Sequence, residues 1–582
     1  MKRSRRTAPW VFASVSALAL ALCTPVAVFA QEGGGVAGGP GPIGTADLAG
    51  TTLDAIDITV EGATDSAAAD ALAQRARSAL GLSEGSALDA FQLERGIDNI
   101  RALGGVAEVD WRLDRAVAPQ VNRLAITITA GEATAAAPAA KFPVLHRGER
   151  SYLRLLISGG VGAFSDGQPW FGDPGTFTRN NPLVQVPAIG ADTGNRATWT
   201  EAFAELGIGG VAPIGDSDFY VYGAASAIAV AATGRDIFRD DSRATFDEED
   251  LYAGLLYAPK EGTRVNLSVG RQNFSLNEGF LISQFGSQYN AGPRPGVYLA
   301  PRTSQDMSVL LTIKGKKLTS TSYYLDPNEF EPIESNTRIA GTNLRYNFTK
   351  SASIDVSYIN IVNSDGRVAV PDGSTRDREG IQTVSIHGRW SDAEAVPGLW
   401  LDGEIAHQWH KDYAMNAWAG YGLVGYLARD LPWTPSISYR FSSHSGDDPD
   451  TERFERFDPL FTGGLGEWLQ GISINKVLNA GNRQAHRIRT NVAPNPKLNL
   501  TLDLFFLRAN ELNNRGGNRA LTDLVSRDLG REVQFAARWS ISPRVYFLGI
   551  LAHAEPGDAI RAVTADEARP WTTIQAQFFF NF

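Results

Sequence analysis

Thiol chemistry is the first thing this 582-residue chain lacks. Its one cysteine, Cys23, falls inside a stretch that reads as an export leader. Lys2, Arg3, Arg5 and Arg6 make a basic start, an apolar run from Trp10 to Leu22 follows, and Val28-Phe29-Ala30 offers small residues for cleavage before Gln31. The hydrophobic residues that usually follow a twin-arginine pair are missing, and Leu22 is too large for a lipoprotein cleavage site, so ordinary export is expected. The exported chain then has no disulfide and no thiolate nucleophile. Beyond the leader there is no uninterrupted apolar run of about 18 residues, which excludes a membrane-spanning helix. Excess positive charge is missing as well. The formal charge is −10, and −14 once the four basic leader residues are gone, which argues against a nucleic-acid partner.

Any membrane crossing must therefore be a closed barrel, the other structure that satisfies its backbone in lipid. The C-terminal segment has that pattern. Ile574, Ala576, Phe578, Phe580 and Phe582 share one parity, while Thr573, Gln575, Gln577, Asn581 and one aromatic, Phe579, share the other. A strand with one apolar and one polar face suits the closing strand of an outer-membrane barrel. Phe578, Phe580 and Phe582 would then be the signal read by the barrel-assembly machinery. A soluble protein rarely finishes on so apolar an edge, because an open edge invites aggregation.

From residue 148 to Phe582 the chain repeats strand, turn, strand. Phe219–Ala232 is a clear strand. Tyr252–Pro259 pairs with Val265–Arg271, Met307–Lys314 with Leu318–Leu325, and Ile339–Phe348 with Ile354–Asn360. Val384–Trp390 and Leu399–Gln408, Ala417–Ala428 and Ser436–Ser442, His486–Val492 and Leu498–Leu507, and Val533–Ser540 and Val545–Ala552 continue the series. Tight turns alternate with long polar connections such as Phe164–Arg196 and Asp448–Gly464, as expected if one barrel end has periplasmic turns and the other external loops. The expected fold is an all-β transmembrane barrel of about 18 antiparallel strands, in the outer membrane of a Gram-negative bacterium.

Ahead of the barrel, 1–30 reads as the signal peptide, 31–51 as a Gly-rich linker, and 132–147 as an Ala/Pro linker. Between the linkers, residues 52–131 read as a small α+β domain. Leu53–Val60 alternates as a strand. Ala67–Leu80 is helical and stopped by Gly81. Phe91, Leu93, Ile97, Ile100 and Leu103 recur at helical spacing, and Val106–Leu113 and Leu124–Thr129 alternate as strands. The order β-α-α-β-β, and the stretch from Gly85-Ser86-Ala87-Leu88 through Leu93, Ile97 and Ile100 to Arg101-Ala102-Leu103-Gly104-Gly105-Val106, resemble a POTRA domain. That resemblance implies a periplasmic module able to recruit a protein partner, for instance by strand addition at its sheet edge.

Parity sorts the barrel residues. Val265, Leu267 and Val269, then Leu344, Tyr346 and Phe348, then Ile437, Tyr439 and Phe441 fall on the lipid face. Arg or Lys at mid-membrane on that face costs about 2–4 kcal/mol, so the basic residues of opposite parity belong in the lumen. They are Arg264, Lys314, Arg345, Arg389, Arg440, Arg487, Arg489 and Arg538. The acids of the same parity are fewer: Asp355, Asp402, Glu404, Asp503 and Glu532. Two readings follow. The excess of positive charge lines an anion pathway, or the arginines pair with the acids across strands and stiffen the wall.

Several segments resemble the alginate-export porin family. They are Val269-Gly270-Arg271-Gln272-Asn273-Phe274 with Gly279-Phe280-Leu281-Ile282, then Tyr439–Asp448 with Phe457-Asp458-Pro459-Leu460-Phe461. Glu511-Leu512-Asn513-Asn514, Gly530-Arg531-Glu532-Val533 and His553-Ala554-Glu555-Pro556-Gly557-Asp558 resemble its closing strands. The resemblance spans most of residues 260–582. It implies an 18-stranded outer-membrane barrel whose arginine-rich lumen passes an anionic polysaccharide, with Arg271 matching a family arginine and Asp447 and Asp558 holding loop turns. The plain family pattern lacks the POTRA-like domain.

That domain leaves a second transport class open, the POTRA-barrel protein transporters of two-partner secretion and barrel assembly. Those carry a V-R-G-[FY] element on a lumen loop, and the nearest run here, Arg515-Gly516-Gly517, lacks the aromatic. No serine is spaced with His387, His407, His410, His444, His486 or His553 in a way that suggests hydrolysis, so no enzyme and no cofactor is expected. The acids Asp240-Asp241 with Asp247–Asp250, and Asp447-Asp448-Asp450-Glu452, could hold Ca²⁺ or simply be solvated external loops. Trp390, Trp433, Trp539, Tyr346 and Tyr439 read as interfacial girdle residues. The expected partners are outer-membrane lipid, the assembly machinery, an anionic polysaccharide or small anions, and a periplasmic protein at 52–131.

Overall fold

The computed structural model describes most of residues 52–581. Residues 1–51, 171–194, 284–298 and 582, and shorter stretches such as 83–85, 132–142, 237–239 and 463–467, lie outside the described residues. The leader, the Gly-rich linker, most of the Ala/Pro linker and Phe582 therefore fall outside them.

The N-terminal unit follows its hydrophobic spacing. Asp65 caps the helix Ser66–Leu80 by accepting from the Ala68 N–H at 2.8 Å, and Gly81 ends it at φ 66°. Leu93, Ile97 and Ile100, predicted at helical spacing, lie on the helix Ala90–Arg101 and are fully buried against Ile126 and Ile128. The sheet has three strands. Gln120–Ala130 is central, parallel to Ala55–Glu61 and antiparallel to Val106–Val117.

The rest is one closed barrel of eighteen antiparallel strands running from Tyr152–Gly167 to Trp571–Asn581. The closing strand pairs with the first from Thr572 opposite Gly167 to Asn581 opposite Ser158. The Val144–Arg147 segment, expected as linker, adds a short strand beside Tyr152 instead. Parity holds around the barrel. Leu267, Val269, Ile313, Leu344, Tyr346, Phe348, Ile437, Tyr439, Phe535, Trp539, Ile574 and Phe578 are exposed, while Arg440, Arg487, Arg489, Glu532, Thr573, Gln575 and Gln577 are buried. One end has short turns, such as 315–317 between Lys314 and Leu318, and the other has the long connections.

Three expectations are corrected. Phe164–Gly167 belongs to the first barrel strand rather than to a connection. Asp247–Asp250 is not a solvated loop. It lies within the strand Arg243–Tyr257, where the register slips between Glu248 and Leu251 and Glu249 is buried. The third concerns Asp448–Gly464, whose Phe454, Phe457, Leu460 and Phe461 are buried instead of exposed. The strands Tyr152–Gly167 and Arg196–Pro213 escaped sequence reading because small residues blur their alternation. On the neighbouring Phe219–Arg235 the larger Ile228 and Val230 even point inward, toward Phe164, Trp199, Phe203 and Leu299.

At the closure seam, glycine makes room for aromatics. A Cβ on Gly160 would sit 2.7 Å from the Phe203 ring and 2.9 Å from that of Phe579, and one on Gly159 would meet Phe580. Phe579, the aromatic on the polar face, thus packs inside the barrel against Tyr546, with ring centroids 4.8 Å apart. Gly160→Val is expected to overpack this seam at a cost of about 1–3 kcal/mol. Folded barrel, scored by heat-modifiable electrophoretic mobility, should fall, and a variant as stable as the parent would contradict this account of closure.

Candidate functional site in the barrel lumen

Register places the lumen charges in rows. The first row runs Arg264, Lys314, Thr319, Arg345, Asp355, His387, Glu404, Tyr421, each opposite the next on the adjoining strand. A second runs Arg389, Asp402, Leu423, Arg440, Arg487, Phe505, Glu532. In a third, Ser438, Arg489 and Asp503 are neighbours, and Arg538 lies opposite Asn499.

Most of the predicted basic residues have partners. Arg345 Nε donates to Asp355 at 2.7 Å, and His387 bridges Asp355 at 3.0 Å and Asp402 at 3.4 Å. Tyr421 donates its hydroxyl to Asp402. Arg489 grips Asp503 through two bonds of 2.7 and 2.9 Å, with Arg487 at 4.0 Å from the same carboxylate. Arg389 approaches Glu278 at 3.6 Å, and Arg271 pairs with Asp306. Arg440 lies 4.0 Å over the Trp468 ring and Arg538 4.0 Å over Tyr546. Both sequence readings are thus realised on different residues. For Arg264 and Lys314 there is no ion pair or hydrogen bond to a carboxylate among the described residues, and Lys314 Nζ is buried without a hydrogen-bond partner.

The residues that sequence reasoning missed hold two connections inside the barrel. In the connection between Arg271 and Met307, Phe274, Leu276, Phe280, Leu281 and Ile282 are buried, and they meet Phe457, Leu460, Phe461 and Trp468 of the connection between His444 and Arg483. Ile282 bridges Phe461, and Trp468 Nε1 donates to the Glu278 carbonyl at 2.9 Å. Wall carboxylates clamp these connections by their backbone. Glu532 accepts from the N–H of Ile472, Ser473 and Ile474 at 2.6, 3.1 and 2.9 Å, an amide nest around an anion. Glu249 accepts from Thr303 N–H at 2.6 Å, Ser304 N–H at 3.1 Å and Arg302 Nε at 3.2 Å, while Arg302 also reaches Asp247 at 2.8 Å. Glu201 accepts from Leu299 N–H at 2.8 Å.

Outside the strands, Arg378 binds Asp458 through bonds of 2.7 and 2.9 Å, and the Gln408 amide pairs with both backbone groups of Asp458. Burial alone would lower the Arg378 pKa, but Asp458 outweighs it and holds it above the ordinary value. Asp447 accepts from the Glu455 N–H at 2.7 Å, which fits the expected turn role, and burial pushes its carboxyl up to about 6. Asp558 opens a short helix, Asp558–Val563. The signal that could have revealed the plug was Phe457-Asp458-Pro459-Leu460-Phe461, an apolar motif set in a polar connection.

A family model described as alginate export matches residues 231–571. The chain belongs to the alginate export family. It is an outer-membrane β-barrel channel of that family. Among solved structures it is similar to Acinetobacter baumannii OccAB1, at 11% identity and TM-score 0.44 over 74% of this chain and 96% of that one. It is likewise similar to Pseudomonas aeruginosa OccK5 (OpdH), at 11% and 0.43 over 74% and 98%. Pseudomonas aeruginosa OpdK, crystallised with vanillate, matches at 8% and 0.43 over the same shares, 74% and 98%. No curated protein matches. In this family member the glycine of the Gly270-Arg271 element has φ 129°, and a Cβ there would fall 2.3 Å from the Leu251 carbonyl oxygen. The strand continues through both residues, Gly270 opposite Tyr252 and Arg271 opposite Leu251, and Arg271 pairs with Asp306.

Removing the guanidinium of Arg302 leaves Glu249 and Asp247 without their cation, a change that typically costs about 3–5 kcal/mol. Arg302→Ala is therefore expected to free the 299–306 segment and raise single-channel conductance in planar bilayers. Unchanged conductance would mean that this segment does not narrow the path.

Proposed function

We propose that this channel passes anionic solutes, an anionic polysaccharide on its way out of the cell, along the basic wall of its lumen. The observation that carries this is the first charge row, where Arg264, Lys314 and Arg345 face the lumen with one carboxylate, Asp355, opposite the last of them. Family membership supports an export channel, and the arginine rows supply the charge sign. In a KCl gradient across a planar bilayer, the reversal potential should report anion preference. Arg345→Ala should lower the anion-to-cation permeability ratio by roughly twofold or more. Cation selectivity of the parent channel would sink the proposal.

We further propose that residues 52–131 are a POTRA-like periplasmic module that recruits a partner. The β-α-α-β-β order and the exposed positions of Ala55–Glu61 and Val106–Val117 as sheet edges support this. Deleting 52–131 should leave the barrel folded and abolish co-purification of periplasmic protein. The same partners captured with and without the module would count against it.

A second reading, protein transport, draws on one observation. Arg302, on a connection folded into the lumen, sits on the acidic strand residues Asp247 and Glu249. Its surroundings, Arg302-Thr303-Ser304, do not match V-R-G-[FY]. An unfolded polypeptide substrate co-purifying with the full chain would favour that reading over the anion pathway.

A further inference from the structure

Five side chains on five adjoining barrel strands form one connected line across the lumen wall. Arg345 on Arg338–Asn347 holds Asp355 on Ala352–Asn363, and Asp355 faces His387 on Ile381–Trp390. His387 faces Asp402 on Leu399–His410, and Asp402 accepts from the hydroxyl of Tyr421 on Ala417–Leu427. His387 stands in the middle of the line and is 1% exposed. Its Nδ1 lies 3.0 Å from Asp355 Oδ2, and its Nε2 lies 3.4 Å from Asp402 Oδ2. A neutral imidazole carries hydrogen on one ring nitrogen only, so facing a carboxylate at both nitrogens calls for the charged ring. Glu404, opposite His387 in register and buried, adds a third carboxylate. Of the neighbouring cations, Arg345 shares Asp355, while Arg389 lies opposite Asp402 in register and 3.6 Å from Glu278 of the plug. Three carboxylates thus gather around one imidazole, and a ring without charge would leave them to repel one another.

The last member of the line touches the plug. The Tyr421 ring stands edge-on to Phe280, with centroids 5.1 Å apart, and edge-on to Trp468 at 4.7 Å. Asp402 fixes that ring by its hydroxyl, and His387 fixes Asp402. We infer that His387 is a positioning residue for the plug: as an imidazolium it draws Asp355 and Asp402 together, and through Asp402 it seats Tyr421 against Phe280 and Trp468. This clamp exists while the ring is charged and is lost when alkali removes its proton. At its other end the same line reaches Arg345, so one buried charge ties the basic wall to the plug. The seat narrows the lumen whatever the charge of the solute that passes.

The test is the single-channel conductance of the purified full chain in planar bilayers, followed from neutral to alkaline buffer. The parent conductance should step up by roughly twofold or more as the buffer turns alkaline. His387→Gln, which cannot be charged, should show the higher conductance already at neutral pH and no step. His387→Arg, which keeps its charge in alkali, should stay at the parent's neutral value throughout. Tyr421→Phe keeps the ring but drops the bond to Asp402, and should conduct more than the parent at neutral pH. A merely structural role for His387 would weaken the glutamine and arginine variants alike and would not set their pH profiles apart. Lys314 and Tyr421 also titrate in alkali, and His387→Gln retains both, so a step that survives in that variant overturns the assignment. Equal neutral conductance of the parent and His387→Gln overturns it as well. If heat-modifiable mobility shows that neither His387 variant folds, Tyr421→Phe decides: neutral conductance equal to the parent's refutes the seat.

Discussion

The structure depends on one constraint: in lipid every backbone N–H and C=O must be satisfied by the chain itself, so the sheet has to close. Closure is settled at the seam between the last and first strands, where Asn581 pairs toward Ser158 and Thr572 toward Gly167. Once the sheet closes, the two-residue period of a strand leaves each side chain only two destinations, lipid or lumen. Glycines at 159 and 160 let the rings of Phe579 and Phe580 lie across the seam. Closure and aromatic packing thus support each other at the same few residues.

Charge then has only one place to go. Arginines forced off the lipid face enter a lumen partly filled by protein, where an uncompensated ion is costly. The wall answers with cross-strand partners. Asp503 serves Arg489 and Arg487, and Asp355 serves Arg345 and His387. Aromatic faces also cover guanidinium groups, as Trp468 does for Arg440 and Tyr546 for Arg538. The carboxylates near the long-connection end do different work. Glu201, Glu249 and Glu532 bind backbone amides of inward-folded segments, because a charged acceptor makes a stronger bond to an N–H than a neutral one.

Legibility in the sequence followed the strength of the period. Strands such as Met307–Lys314, with bulky apolar residues on one parity and Ser308, Thr312 and Lys314 beside a single leucine on the other, could be read to the residue. The small domain was equally readable, because Leu93, Ile97 and Ile100 mark a helical stripe and Gly81 a stop. The strands Tyr152–Gly167 and Arg196–Pro213 could not be read, since glycine and alanine interrupt the alternation between outward residues such as Leu153, Val161, Leu206 and Ile208 and inward ones such as Phe164, Trp199 and Phe203. The inward-facing basic residues were legible as a set, but not their partners. Register sets Arg489 beside Asp503, and register depends on how neighbouring strands slide. The plug was hidden for another reason. Its apolar residues are scattered through a polar connection and find each other only because the barrel wall holds that connection by its backbone.

These two uses of charge divide the lumen along its axis. Toward the long connections, Glu249 and Glu532 are consumed by amides, and the space between the walls is occupied by Phe280, Phe457, Phe461 and Trp468. Toward the short turns, strand ends carry Arg264, Lys314, Arg345 and Arg389, and the clamped segments bring Glu278 to Arg389. A lumen arranged in this way is not equivalent from its two sides. Positive charge stands where the connections are shortest, and the clamps stand where they are longest. In the proposed pathway the electrostatic step and the steric step therefore come in a fixed order. An anion drawn in by the first then meets the second, the connections that Glu249 and Glu532 hold by their backbone amides.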